Sequence, residues 1–415
     1  MTSADLDDMP RQAVVLAGGL GTRLGPLTQS IPKPLAPVNG VPFLAYLLRM
    51  LRNQGIDRII LLIGYKADMI RDYCGDGSKF GLKISYSEGP VDDDTGTRVR
   101  RIQNQVDEHF LLLYCDNYWP MPLSHMWRSY CEKTSADAQV TVYRNSDKIT
   151  KSNLKVSDGG LVETYDKSRK TPGLSGVDIG FILLNRRVLK LLPQDGNFSF
   201  EAELYPKLSA NGQLAAFETD HRYYSIGSPE RLEQTARFLS RNPCVILDRD
   251  GVLNVKAARG EYITSPEEWQ WLPGSREAMR AIREAGSDIV VVTNQAGIAR
   301  GMLTEQDLEA VHSRMREEAA QAGGDILDIF HCPHHWDDNC DCRKPKPGML
   351  VAAQREHGLD LSVTPFVGDD PRDGEAADLV DEPFFKVDFN QGVAQAIPAL
   401  LDFVKNRGQG IIPNG

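Results

Sequence analysis

Several features are scarce or missing in this 415-residue sequence. No apolar run approaches the roughly 18–20 residues that span a bilayer, so we expect no membrane segment. The first ten residues, MTSADLDDMP, lack the basic start and apolar core of a signal peptide, so we expect a cytoplasmic protein. Basic residues are outnumbered, with 47 Lys and Arg against 57 Asp and Glu, which disfavours nucleic acid as a partner. We find no internal repeat.

Disulfide bonds are not expected either, although the chain has seven cysteines. Their number is odd, and we expect no export signal. Cys332, Cys340 and Cys342 lie within eleven residues that also hold two histidines, and a third histidine, His331, comes directly before them. Such a cluster indicates a metal site rather than a disulfide framework.

Short apolar runs alternate with helical patterns along the whole chain, which is typical of α/β sheets covered on both faces. A helical pattern ends just before Pro243 and a new strand pattern follows it at once. We therefore predict an α/β fold with two domains, residues 1–240 and 243–405, each a mostly parallel sheet with helices on both faces. A flexible tail is expected at residues 406–415.

A glycine-rich turn, GGLGTRLG at residues 18–25, follows the first predicted strand. Its spacing fits neither a dinucleotide-binding fingerprint nor a P-loop. Backbone N–H groups in such a turn approach phosphates closely, and Arg23 and Lys33 add positive charge. The combination suits a polyphosphate, although a solvated turn would explain the glycines alone equally well.

The whole string GGLGTRLGPLT, followed by PKPL at residues 32–35, resembles the sugar-1-phosphate nucleotidylyltransferases over about residues 11–240. The resemblance implies a Rossmann-like domain in which a sugar-phosphate oxygen attacks the α-phosphorus of a nucleoside triphosphate and pyrophosphate leaves. It implies catalytic roles for Arg23 and Lys33. The nucleotide-binding set that it implies is Leu16, Ala17, Gly18, Gly19, Gly21, Thr22, Arg23 and Lys33.

Other positions carry over from the same resemblance. Asp116 is implied as a Mg²⁺ ligand, and Lys167 and Asp178 as contacts of the sugar phosphate. Ser225 departs from the pattern, because the family usually has a metal-binding Asp there. Asp178 and Asp220 are the candidates to compensate. The departure leaves open a first domain that binds a nucleotide sugar without catalysis.

A second turn, DRDG at residues 248–251, also follows a predicted strand. Two carboxylates two residues apart at a strand end can face one crevice, where one attacks and the other exchanges a proton. Mg²⁺ would neutralise them and orient a phosphate. A calcium loop is an alternative for DxDG, but the EF-hand spacing is absent.

Three later motifs (TNQAGIARG at 293–301, RKPKPG at 343–348 and VGDDPRD at 367–373) complete a set that resembles the haloacid dehalogenase (HAD) superfamily phosphatases over about residues 243–405. The resemblance implies a HAD-like fold with a minimal cap, an aspartyl-phosphate on Asp248, and Asp250 as general acid and base. It assigns the phosphoryl group to Thr293 and Lys344, and substrate binding to Asn294, Arg343 and Lys344. It assigns Mg²⁺ to Asp248, Asp369 and the Asp250 backbone, and the orientation of these metal ligands to Asp373.

The cysteine cluster has the spacing C-x-H-x5-C-x-C, which fits a closed structural Zn²⁺ site formed by Cys332, His334, Cys340 and Cys342. Two HAD groups carry such a loop, the histidinol-phosphate phosphatases and the heptose bisphosphate phosphatases. The short spacing before Cys340 favours the former. The segment 261–274, which we expect at the substrate mouth, favours the latter, and we give it more weight.

A phosphatase that acts on a sugar bisphosphate leaves a sugar-1-phosphate, which a nucleotidylyltransferase consumes. The resemblances therefore imply two successive steps of nucleotide-sugar synthesis, with heptose 1,7-bisphosphate and GTP as substrates, for a lipopolysaccharide or another surface polysaccharide. The first alternative is an active phosphatase, for a sugar or histidinol phosphate, joined to a non-catalytic nucleotide-sugar-binding domain. A scaffold without activity is the second. We expect small-molecule partners only, and the sequence leaves a homo-oligomer open.

Overall fold

The computed structural model describes residues 9–120, 123–240, 242–258 and 260–411. The chain divides into two compact units, residues 1–239 and 240–415. Within the described ranges, no helix combines the length and the hydropathy that a membrane crossing requires.

The first unit is built on a seven-stranded sheet. Its strands are parallel to their neighbours except Val177–Asn185, which is antiparallel to both strands beside it. Across the sheet the order is Leu214–Thr219, Ala138–Tyr143, Val177–Asn185, His109–Tyr114, Gln12–Leu16, Arg58–Ile63 and Lys83–Glu88. Three two-stranded ribbons accompany it: Pro37–Val38 with Val41–Pro42, Asn117–Tyr118 with Tyr224–Ser225, and Leu154–Val156 with Val162–Tyr165.

Helices complete the first unit. The α-helices are Leu27–Ser30, Phe43–Asn53, Ala67–Cys74, Thr95–Arg100, Leu123–Glu132, Phe200–Ala210 and Pro229–Leu239. Short 3-10 turns occupy Thr22–Leu24, Lys33–Leu35, Ser78–Phe80 and Arg186–Leu191.

The second unit has a five-stranded sheet in which every pair is parallel. The strand order is Asp328–Cys332, Asp288–Asn294, Cys244–Asp248, Phe366–Gly368 and Phe384–Lys386. Its α-helices are Ser275–Glu284, Glu305–Gln321, Gly348–His357, Pro371–Asp378 and Val393–Ile411, and a 3-10 turn lies at Pro266–Glu268.

The first strand of each sheet along the chain is buried on two faces. In Gln12–Leu16, Val15 packs into one core and Val14 into another, because successive side chains of a strand point to opposite sides. In Cys244–Asp248, Leu247 and Ile246 divide between two cores in the same way. This double burial explains why these strands read as continuous apolar runs.

The predicted α/β architecture of two sheet-and-helix units is confirmed. Local signals also worked where they were strong: the helix Glu305–Gln321 starts at Thr304 with a capping box closed by Asp307. The predicted boundary between the second domain and the tail, at residue 405, does not coincide with the end of a helix. The last helix, Val393–Ile411, continues past it. Residues 412–415 of the predicted tail lie outside the described part of the chain.

Candidate active sites

The glycine turn lies at the carboxyl end of the strand Gln12–Leu16 and lines a cavity of 330 Å³. Gly21 has a φ of +66°, and a Cβ there would lie 2.7 Å from the Cβ of Lys33. Glycine is therefore needed both for the backbone and for this close approach. The lining includes these predicted nucleotide and metal residues: Leu16, Gly18, Gly19, Gly21, Thr22, Arg23, Lys33 and Asp116. Ala17 is buried and is not part of the lining.

Lys33 and Asp116 form an ion pair in this cavity. The backbone of Ser225 lies close to that of Asp116, because the ribbon pairs Ser225 with Asn117 and the Ile226 N–H donates to the Asp116 carbonyl at 3.0 Å. The Ser225 hydroxyl can only offer a neutral oxygen. Within the described ranges, Asp116 belongs to no cluster of three or more metal-ligating side chains.

Arg98 supports the glycine turn from inside the fold, and no sequence motif identified it as a site residue. Its buried guanidinium donates to the carbonyl oxygens of Ile63 at 3.0 Å and of Gly18 at 3.3 Å. It also donates to Pro90 at 2.8 Å, among other carbonyls of that loop. Burial lowers the pKa of Arg98, against the raising effect of nearby aspartates. Arg98 thus joins three loops at the rim of the cavity.

Asp178 and Lys167, the two predicted contacts of the sugar phosphate, do not line the glycine-turn cavity. The Asp178 carboxylate accepts from the Gly180 N–H at 2.8 Å and from the Tyr205 hydroxyl at 3.1 Å. Burial raises the pKa of Asp178 to about 6, against these hydrogen bonds. Lys167 is exposed and donates to the Ser199 hydroxyl at 3.3 Å. Asp220, the other candidate to compensate for Ser225, is paired with Arg144 at 2.7 Å.

The second unit gathers its predicted catalytic and substrate-binding residues into one cavity of 240 Å³, whose lining does not include Asp369. They come from the ends of neighbouring parallel strands, from the loop after residue 342 and from the first turn of the helix Pro371–Asp378. The predicted residues in the lining are Asp248, Asp250, Thr293, Asn294, Arg343, Lys344 and Asp373. Ligand sites at the carboxyl ends of such strands are the rule in open α/β sheets.

Lys344 is the central cation of this cavity. Its ammonium lies 2.9 Å from the Asp248 carboxylate and 2.7 Å from that of Asp373. Burial lowers the pKa of Lys344, but the two carboxylates outweigh burial and the pKa lies above its ordinary value. Burial raises the pKa of Asp248, against the charge of Lys344. The amide of Asn294 holds the backbone of Lys344 in place, with N–O distances of 3.1 Å in both directions.

Three carboxylates beside Lys344 can hold a divalent cation. Oxygens of Asp248, Asp369 and Asp373 lie within 4.8 Å of one another. One oxygen of Asp369 is buried without a hydrogen-bond partner among the described residues, while the other accepts from Lys256 at 2.6 Å. An orphaned carboxylate oxygen in such a cluster suits a hard cation such as Mg²⁺.

The Asp250 side chain is turned away from this cluster. Its carboxylate accepts from Arg249, from Asn254 at 3.0 Å and from Gln295 at 2.9 Å. Burial raises the pKa of Asp250, but the charge of Arg249 and the hydrogen bonds outweigh burial, and the pKa lies below its ordinary value. Gln295 also donates to the Thr293 hydroxyl at 2.9 Å. Arg249 and Gln295 lie inside predicted motifs, but the sequence assigned them no role.

Cys332, His334, Cys340 and Cys342 form a second metal-competent cluster. The three sulfurs are 3.3–3.6 Å apart, and the His334 Nδ1 is 3.2 Å from Cys342 and 3.6 Å from Cys332. These separations are too long for disulfides, whose sulfurs lie about 2.05 Å apart. They are close to the roughly 3.7 Å edge of a tetrahedral Zn²⁺ site with Zn–S bonds of about 2.3 Å.

Comparisons with known proteins agree with this division. The family model described as nucleotidyl transferase matches residues 12–240, and the one described as haloacid dehalogenase-like hydrolase matches residues 198–381. The chain is 50% identical over 137 residues to D-glycero-beta-D-manno-heptose-1,7-bisphosphate 7-phosphatase of Pseudomonas aeruginosa. This match covers 33% of this chain and 76% of that protein. It is 32% identical over 227 residues to the Bacillus subtilis protein named "Probable glucose-1-phosphate cytidylyltransferase", covering 50% of this chain and 87% of that protein.

The chain belongs to the nucleotidyl transferase and haloacid dehalogenase-like hydrolase families. A HAD phosphatase domain is thus fused to a nucleotidyltransferase domain, as the resemblances implied. A solved structure of HddC from Yersinia pseudotuberculosis is also similar, at 27% identity and a TM-score of 0.47, covering 55% of this chain and 98% of that one.

The two family matches overlap between residues 198 and 240. The structure assigns this segment to the nucleotidyltransferase unit, because the strand Leu214–Thr219 pairs with Ala138–Tyr143 of the first sheet. The HAD sheet begins only at Cys244–Asp248.

Proposed function

We propose that the HAD domain, residues 243–405, removes the 7-phosphate of a heptose 1,7-bisphosphate. The observation that carries this proposal is the pairing of Lys344 with Asp248 in a cavity that Asp250 and Thr293 also line. A buried carboxylate beside a buried cation is suited to attack an anionic phosphate. The named Pseudomonas aeruginosa relative supports the sugar.

Asp248 acts as the nucleophile. A carboxylate oxygen of Asp248 forms a bond to phosphorus, and the bond from phosphorus to the sugar oxygen breaks, which leaves an aspartyl-phosphate. In the free enzyme Arg249 favours the ionised form of Asp250. The negative charge of the bound phosphate raises the pKa of Asp250 again, so that it takes up a proton, which it then gives to the departing sugar oxygen. In the second step Asp250 takes a proton from water, the water oxygen bonds to phosphorus, and the aspartyl-phosphate bond breaks to release inorganic phosphate.

The remaining residues neutralise and position the phosphoryl group. Lys344 balances the charge of Asp248 and of the incoming phosphate, and the Thr293 hydroxyl donates to a phosphoryl oxygen. Asn294 and Arg343 bind the substrate, Asn294 also by fixing Lys344. Mg²⁺, held by Asp248, Asp369 and the Asp250 backbone, would offset negative charge on the phosphate.

We also propose that Cys332, His334, Cys340 and Cys342 hold a structural Zn²⁺. Four protein ligands leave no position for water, so such an ion has no direct part in the chemistry. Support comes from the chain that follows the cluster, because Arg343 and Lys344 come directly after Cys342. The ion would fix the backbone that presents both cations.

For the first domain, residues 1–240, we propose transfer of a guanylyl group from GTP to the sugar-1-phosphate that the phosphatase leaves. Backbone N–H groups of the glycine turn, with Arg23 and Lys33, hold the triphosphate while pyrophosphate departs. Asp116 would hold Mg²⁺, and Lys167 and Asp178 would contact the sugar phosphate. The glycine-turn cavity, with its Lys33–Asp116 pair, supports this assignment.

A second candidate function for this domain is nucleotide-sugar binding without catalysis. Ser225 favours it, because this neutral residue pairs with Asn117, the neighbour of Asp116 in the chain, at the position where the family usually has a metal-binding Asp. Pyrophosphate release from GTP and heptose-1-phosphate separates the two candidates. Nucleotide binding without pyrophosphate would support the non-catalytic one.

The phosphatase proposal is tested by phosphate release from a panel of sugar mono- and bisphosphates. Asp248→Asn should abolish release from the preferred substrate. Asp288→Asn is the matched control, because Asp288 begins a neighbouring strand at the opposite end of the sheet and pairs with Arg283. Unchanged turnover by Asp248→Asn would refute the assignment of the nucleophile.

A further inference from the structure

The residue between the two catalytic aspartates is itself buried. Arg249 has no exposed side-chain surface, although an arginine is among the most expensive side chains to remove from water. Its guanidinium carbon lies 6.0 Å from the ring centre of Trp269. Apolar side chains often replace buried ion pairs without loss of stability, so stability alone does not account for this arginine.

Arg249 connects Asp250 to a histidine of the helix Glu305–Gln321. One terminal nitrogen donates to both carboxylate oxygens of Asp250, at 2.9 and 3.1 Å. The other donates to His312 Nε2 at 3.2 Å. A guanidinium can only donate, so His312 must accept through Nε2 and carry its hydrogen on Nδ1. Burial lowers the pKa of His312 to about 3, as do the nearby charges of Arg249 and His331, which agrees with a neutral ring.

A neutral acceptor has a particular consequence here. His312 satisfies one end of the guanidinium without cancelling its charge, so the positive charge stays directed at Asp250. A carboxylate in the same place would compete for it.

Two amides complete the contacts of Asp250. Asn254 donates to one oxygen and Gln295 to the other, at 3.0 and 2.9 Å. Arg249 donates to both, so each oxygen accepts two hydrogen bonds and the carboxylate plane cannot rotate freely. Asp250 nevertheless lines the cavity, with 24% of its side chain exposed. The contacts therefore fix the direction of a group that still reaches substrate.

We propose that Arg249, held by His312, is a positioning residue that directs Asp250 at the leaving oxygen of the phosphate ester. This inference rests on the proposed phosphatase function. It assigns the two residues an effect on protonation of the leaving group and none on binding of the phosphoryl group, which belongs to Thr293 and Lys344.

Leaving groups of different basicity distinguish this role from a structural one. A sugar oxygen needs a proton as it departs, whereas p-nitrophenolate leaves without one. The values of kcat/KM report the steps up to departure of the leaving group and exclude hydrolysis of the aspartyl-phosphate. We would measure them for the preferred sugar phosphate and for p-nitrophenyl phosphate with the full-length chain.

Arg249→Lys keeps the charge but cannot reach Asp250 and His312 together, and His312→Leu removes the acceptor. Both should lower kcat/KM for the sugar phosphate on the order of 10²-fold, the effect of a small misplacement of a catalytic group, and should change the aryl ester far less. His312→Gln retains an acceptor oxygen and should recover most of the loss. Arg316→Gln is the control, because Arg316 lies on the same helix and faces Asp328.

Equal losses on both esters, or no loss on either, would overturn the positioning role while leaving the phosphatase intact. If Arg249→Lys does not fold, the His312 pair decides the question in the same way. Absence of phosphate release from both esters by the unmodified chain would overturn the proposed function itself, and this inference with it.

Discussion

Replacing Lys344 with methionine is the most informative perturbation of the second unit. The side chain is 3% exposed and its ammonium contacts two carboxylates, at 2.7 and 2.9 Å. Lys344→Met leaves Asp248 and Asp373 buried without their cation. Removing one partner of a buried ion pair costs about 3–5 kcal/mol, and here two partners are stranded.

For a unit of this size each kcal/mol lowers Tm by about 2–4 °C, so we expect a loss of about 6–20 °C at neutral pH. Mg²⁺ should return part of this loss, and more to the variant than to the unmodified chain, because a ligand of the native state stabilises it. Differential scanning calorimetry with and without Mg²⁺ measures both effects.

Lys346→Met provides the matched control. Lys346 is two residues away, its side chain is 39% exposed, and it contacts Asn339 and Asp341 at the surface. Exposed pairs contribute about 0–1 kcal/mol, so this variant should change Tm by no more than a few degrees. Equal losses in the two variants would refute the claim that Lys344 compensates two buried carboxylates.

Three further changes have defined outcomes. Glu382 is buried with neither oxygen hydrogen-bonded among the described residues, and burial holds its pKa well above the usual value. The folded state therefore loses stability as pH rises, because the carboxyl ionises more readily in the unfolded chain. Glu382→Gln should for that reason raise Tm more at pH 8 than at pH 5. Chelation of Zn²⁺ should destabilise the second unit and not the first, since metal binding is coupled to folding; unfolding curves that stay unchanged with chelator would contradict the zinc assignment. Arg98→Met removes donors from the glycine turn and should weaken GTP binding in calorimetry by about tenfold or more, because one charged hydrogen bond contributes about 1.5–3 kcal/mol; undiminished affinity would contradict its supporting role.

The sequence predicted the placement of the candidate residues best where they lie at or just after the ends of buried strands. Asp248 and Thr293 lie at the carboxyl ends of two strands of one parallel sheet, and Asp369 directly follows a third, so a correct strand assignment already brings them to one edge. Lys344 was predicted only from the resemblance to the HAD phosphatases. Its position depends on a loop whose backbone the Asn294 amide holds. The pattern carried no information on that contact.

Other contacts depend on side-chain direction, which no motif encodes. Arg249 and Gln295 lie within two of the sequence motifs, but their contacts with Asp250 are seen only in the folded structure. Arg98 contacts carbonyls 35 and 80 residues away in the chain, at Ile63 and Gly18. Such separations leave no local periodicity or spacing to detect.

One measurement tests the central claim most directly. The full chain is incubated with heptose 1,7-bisphosphate and Mg²⁺, with each nucleoside triphosphate in turn, while phosphate and pyrophosphate are followed separately. We predict phosphate release in every reaction, and pyrophosphate release with formation of a nucleotide sugar when GTP is present. Phosphate release without pyrophosphate from any triphosphate would contradict the account of two successive reactions on one chain.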